Sequence, residues 1–165
     1  MTAVNVVSTE LDPESQLWDR MSAGDFLDCY SVEADTTPRR AAEIITTFPN
    51  WTKALMQVRR LVTAPFGLSN DGPDATDKLG LFPVEYESET ELIAGFNDKH
   101  LNFRVSIMAR DGRVALATWV HTHNLGGRIY LTVIWPFHVL IARNAVRRVA
   151  AQARIDNQTE DAASA

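Results

Sequence analysis

The 165-residue sequence predicts an α+β fold in which a curved antiparallel sheet wraps round a long C-terminal helix. Three observations predict it. Between residues 80 and 123 strand-like segments follow one another with no helical pattern between them. Asp111-Gly112, inside that run, is a two-residue hairpin signal. After Pro136, the residues Val139, Ala142, Val146, Val149 and Ala153 form an apolar stripe at helical spacing, so this helix must bury one side. Sheet and helix then cover each other, an arrangement called helix-grip, which often leaves a cavity between them.

The elements follow in order. Residues 1–24 mix small, acidic and turn-forming residues and read as an N-terminal arm, with Leu11, Leu17 and Trp18 as anchors. Asp25 to Val32 is the first strand. The Thr37 hydroxyl can cap a helix, and Pro38 at its first position loses no needed donor. That helix runs through Ala41, Ala42, Ile44 and Ile45 and stops at Phe48-Pro49. A second opens at Asn50, carries Leu55, Met56, Val58, Leu61 and Val62, and ends at Pro65-Phe66-Gly67. Residues 69–78 read as a loop. Strands are expected over 80–87, 91–97, 100–110, 113–123 and 128–135, with Leu125-Gly126-Gly127 as the last turn, and Pro136 opens the terminal helix. Residues 25–155 thus form the helix-grip domain. Residues 156–165 have almost nothing large to bury and read as a disordered tail.

Composition narrows the function. With 45% hydrophobic and 22% charged residues the chain is ordinary for a soluble domain. A net charge of −5 and a pI near 5.3 argue against nucleic acid, which needs a basic footprint. The arginine pairs 39–40, 59–60 and 147–148 read as solvated helix faces, and the acidic run Glu85, Glu87, Glu89, Glu91 as a solvated strand edge. Cys29 is the sole cysteine, so neither an internal disulfide nor a thiolate metal cage can form. No basic start followed by an apolar run is present, and no apolar stretch nears the roughly 20 residues of a membrane span. The expected location is cytoplasmic, with no membrane span and no nucleic-acid partner.

Several segments look familiar together: residues 51–59, Asn97-Asp98-Lys99-His100-Leu101-Asn102-Phe103-Arg104, His123-Asn124-Leu125-Gly126, and Tyr130 through Pro136-Phe137-His138. Over most of residues 24–150 the chain resembles the DUF2867 family, a group named for lacking an assigned function. The resemblance implies kinship with Bet v 1-like or START-like (SRPBCC-like) helix-grip folds. Related domains occur fused behind nucleotide-binding oxidoreductase domains. This chain has no glycine-rich dinucleotide fingerprint, so a stand-alone version is expected.

Three groups of residues could carry chemistry. On a pleated strand Asp98, His100, Asn102 and Arg104 project to one side and Leu101, Phe103, Val105 and Ile107 to the other. If the polar side lines the cavity, His100 is the acid or base, Asp98 orients it and Arg104 holds an oxyanion. A cross-strand salt bridge with the apolar side facing the helix would produce the same sequence. His121-Thr122-His123 puts two imidazoles on one strand face beside Trp119; a polar strand end is the simpler reading, so no metal and no cofactor is expected. Tyr130 and His138 form the third group, with His138 placed in the first turn of the terminal helix, where the macrodipole favours a neutral ring.

The expected function is binding of a mainly apolar small molecule in the sheet–helix cavity, with His123, Asn124, Tyr130, His138 and Trp119 as binding residues. An acid–base enzyme of cyclase, dehydratase or isomerase type, using His100, Asp98 and Arg104, is the alternative. A structural or interaction module, with the cavity filled by aromatic side chains, is the third reading.

Overall fold

A computed structural model describes residues 4–50, 53 and 73–163. The second helix expected from Asn50 lies outside the described residues, except that Asn50 and Lys53 are helical; residues 69–72 of the expected 69–78 loop lie outside them too. Seven strands form one antiparallel sheet: β1 (Val7–Ser8), β2 (Phe26–Glu33), β3 (Lys78–Leu79), β4 (Phe82–Glu87), β5 (Glu91–Asn97), β6 (Leu101–Arg110) and β7 (Arg113–Thr122), in the spatial order β1-β2-β7-β6-β5-β4-β3. The sheet is curved and open. It is joined by a short helix α1 (Pro38–Thr46), a 3-10 turn (Gln16–Arg20) and a long helix α2 (Leu125–Ala163). This is the expected α+β, helix-grip arrangement.

Local chemistry explains several boundaries. The β6–β7 hairpin turns on Asp111 and Gly112, both at positive φ (53° and 69°), as the strand twist demands of a two-residue loop. Thr37 caps α1 by accepting from the Arg40 N–H at 3.2 Å, and Pro38 takes the first helical position. The other end of α1 is closed by α2: Arg148 donates to the carbonyls of Ile44 (2.7 Å), Thr47 (2.6 Å) and Ile45 (3.2 Å). A cation there also suits the negative end of the helix dipole. Arg148 is therefore not part of a solvated face.

The largest correction concerns residues 125–135. The expected strand over 128–135 and its Gly-Gly turn are helix, and Pro136 lies inside α2 rather than at its start. Asn124 starts the helix, its Oδ1 accepting from the Gly127 N–H at 3.0 Å. Gly127 lets the first turn abut β6, since a Cβ there would stand 2.4 Å from the His100 carbonyl oxygen. The tail is also helical, to Ala163, with Asp156 receiving Arg40 (3.0 Å) and Gln152 (2.8 Å). By length and composition alone α2 is apolar enough to cross a membrane, contrary to expectation; only 11% of its apolar window is buried, while residues 142–153 pack into the core.

Two cores sandwich the sheet. Against α2 and α1 pack Tyr30, Val32, Leu92, Ala94, Ile107, Ala109, Val114 and Leu116, with Val146 and Val149 wholly buried. Each such valine contributes on the order of 1.5–3 kcal/mol. On the opposite face Leu11, Leu17, Cys29, Ile93, Ala117 and Trp119 form a smaller core under the arm. Leu17 is fully buried and Trp18 is 46% exposed, its Nε1–H donating to the Asp12 carbonyl at 2.8 Å, so Leu17 rather than Trp18 anchors the arm. Glu91 fastens it further, accepting from Ser15 Oγ and Ser106 Oγ, both at 2.5 Å, and from the Gln16 N–H at 2.9 Å. Glu91, Glu85 and Glu87 are thus engaged, the last two with Arg104 and Arg39, and do not form a merely solvated edge.

Candidate functional site

Register decides which residues share a face. The rows Phe26–Val120–Phe103–Phe96 and Asp28–Thr118–Val105–Ala94 run across β2, β7, β6 and β5 on the face toward α2. The rows Leu27–Trp119–Arg104–Gly95 and Cys29–Ala117–Ser106–Ile93 lie on the opposite face, under the arm. The expected alternation on β6 holds, and it is the apolar side that meets the helix.

The expected His100–Asp98–Arg104 cluster is consequently not on the sheet face that meets the helix. Arg104 is 4% exposed and lies on the far face; it donates to Glu85 Oε2 (2.8 Å), Asn97 Oδ1 (3.0 Å) and the Phe103 carbonyl (2.8 Å). Its stem crosses Gly95, where a Cβ would meet the Phe103 carbonyl oxygen at 2.1 Å and Arg104 Cδ at 2.8 Å. Asp98 lies in the β5–β6 turn, which it closes through its N–H to the Leu101 carbonyl and its carboxylate to the Lys99 N–H. His100 precedes β6, its Nδ1 3.0 Å from Asn124 Nδ2.

Asn124, a proposed binding residue, caps α2 and joins it to His100. Beside it Thr122, His123, Asn124, Leu125 and Arg128 line an open groove of about 270 Å³.

The face toward α2 carries a different polar group, one the sequence reading partly missed. His138 sits four turns into α2, so the dipole argument for its charge state does not apply. Its Nε2 instead lies 3.1 Å from Asp28 Oδ2, with the two side chains 23% and 9% exposed. Tyr30 neighbours Asp28; burial first, then the Asp28 charge, push its phenol above the ordinary value, so it stays protonated. The Arg143 guanidinium stands 5.6 Å over the Tyr30 ring. Phe26 packs edge-on against Trp135 (4.5 Å between centroids), and Phe82 meets Phe103 (5.3 Å) and Phe96 (6.3 Å). Asp28 interrupts the apolar alternation Phe26/Tyr30/Val32, and that interruption was the available signal.

The far face has its own constellation at the ends of β2 and β7. The Asp25 carboxylate, 3% exposed, accepts from Trp119 Nε1 (2.8 Å), His121 Nδ1 (2.5 Å) and the Ser22 N–H (2.8 Å). Burial acts to raise its pKa, but these hydrogen bonds outweigh that and hold it below the usual carboxylate range. Trp119 and His123, expected in the cavity, both belong to this side. Cys29 is buried, and desolvation followed by the Asp28 and Asp12 charges pushes its thiol up to about 12, which leaves it inert. Among the described residues no group of three or more His, Cys, Asp or Glu side chains is disposed to hold a metal.

Sheet, α1 and gripping helix define an α+β helix-grip protein with one polar pair under the helix and another on the opposite face. A family model for DUF2867, described as proteins of unknown function, matches residues 21–145, and the chain belongs to that family. No curated protein and no solved structure matches it.

Proposed function

We propose that the protein binds a small, mainly apolar molecule between the first half of α2 and the sheet, oriented by the His138–Asp28 pair. The observation that carries this reading is the unequal packing along α2. In its later turns Ala142, Ala145, Val146, Val149, Ala150 and Ala153 are all buried against the sheet and α1. In its earlier turns Leu131, Trp135, His138 and Val139 are only half-buried, as are Phe26, Phe82, Phe96 and Phe103 on the sheet below. Half-covered aromatic floors with a few placed polar groups are what small-molecule sites are made of. The kinship with Bet v 1-like folds that the resemblance implies points the same way. Of the binding residues assigned from sequence, His138 enters this proposed site; Trp119, His123 and Asn124 do not. The acid–base alternative now rests on His138, whose ring Asp28 holds at 3.1 Å.

Titration with the apolar fluorophore 1-N-phenylnaphthylamine tests the reading. Saturable binding is expected, weakened at least tenfold by Phe96→Ala combined with Phe103→Ala and unchanged by Ile129→Ser on the exposed side of α2. Equal binding by the double variant would contradict it.

A further inference from the structure

We propose that His121 and His123 form a site for a transition-metal dication on the sheet face opposite α2, independent of the apolar site above. The two rings share one side of the β7 end, with centroids 5.6 Å apart. Each has its Nδ1 held: His121 by the Asp25 carboxylate at 2.5 Å, His123 by the Lys99 carbonyl at 3.3 Å. Carboxylate and carbonyl oxygens only accept, so both Nδ1 atoms carry the hydrogen, and a neutral ring then keeps its lone pair on Nε2. Among the described residues neither Nε2 has a hydrogen-bond partner. This is how metal-ligating histidines are prepared: an outer acceptor fixes the tautomer and raises the basicity of the donor nitrogen.

Two further features favour a ligand over a purely structural role. Asp25 is itself held by Trp119 Nε1, whose ring stacks on His121 at 6.4 Å, so the imidazole is braced from two sides while remaining 41% exposed. Asn102 lies opposite His121 in the β6–β7 register, and its Oδ1 is buried with no hydrogen-bond partner. Two imidazole nitrogens with an amide oxygen nearby suit Zn²⁺, Ni²⁺ or Cu²⁺ and disfavour Mg²⁺ and Ca²⁺. Remaining coordination positions would belong to water or substrate, since two imidazoles leave the ion open.

The test is calorimetric titration of the untagged full chain with Ni²⁺ and with Zn²⁺, alongside thermal melts of every variant. One ion per chain is expected. His121→Gln and His123→Gln should each weaken binding more than tenfold, and Asp25→Asn at least tenfold with unchanged stoichiometry. Imidazole NMR of the wild-type chain gives a reading that does not depend on variants folding: Zn²⁺ should shift the His121 and His123 ring signals before those of His100 and His138. Absence of saturable binding, binding that survives the His121→Gln/His123→Gln double substitution, or first shifts at His100 or His138 would overturn the proposal.

Discussion

Asp25 shows how a single buried carboxylate organises one end of the sheet. Three donors from Ser22, Trp119 and His121 converge on it, the last two 94 and 96 residues away in the chain. Its folded pKa lies below the unfolded value, so between the two the unfolded chain binds more protons and stability rises with pH. The Asp25 contribution is therefore complete above the unfolded carboxylate range near pH 4 and is lost as pH falls through the depressed folded value. Asp25→Asn should lower stability by about 1–3 kcal/mol at pH 7. It should also flatten the acid limb of a urea-midpoint-versus-pH curve; an unchanged acid limb would show that the carboxylate does not carry this linkage. Little of this could be read from sequence, because hydrogen-bond partners so distant along the chain leave no local spacing to recognise. Arg104 teaches the same lesson. Its placement on a polar strand face was legible from period-two alternation, whereas its engagement with Glu85 on β4 and its passage over Gly95 depend on strand pairing.

At the scale of elements, legibility followed the strength of local signals. The Asp-Gly hairpin, the Thr-Pro helix start and the alternating strands β2, β5, β6 and β7 were all readable, because each is fixed by backbone preference within a few residues. Residues 128–135 misled for a physical reason. Val, Ile, Tyr and Trp favour strands and proline usually closes a helix, but the Asn124 cap and the close fit of Gly127 against β6 start the helix earlier. Tertiary contact overrode propensity. The pairing of α1 with α2 offers a direct check. Arg148→Met should keep the packing of the arginine stem and lose its three bonds to the α1 carbonyls, costing about 2–3 kcal/mol in chemical denaturation. A loss below about 0.5 kcal/mol would mean that those carbonyls are equally well satisfied by water.

For the whole molecule, the sheet works as a partition. One face is gripped by α2, tightly over residues 142–153 and loosely over its earlier turns; the other is roofed by an arm that Leu17 and the Glu91 hydrogen bonds fasten down. The fold class was readable because element order and amphipathicity are global patterns. Which face of the sheet met the helix was not, since alternation yields two faces without saying which is inside. That orientation puts the His138–Asp28 pair, and not Arg104, on the helix side of the sheet. The central claim, a small apolar molecule held under the first half of α2, is tested most directly by native mass spectrometry of the freshly purified chain. The account predicts a bound species of a few hundred daltons that denaturation releases and that the Phe96→Ala/Phe103→Ala variant fails to retain. A bare chain mass from every preparation, with no retention of added 1-N-phenylnaphthylamine, would contradict it.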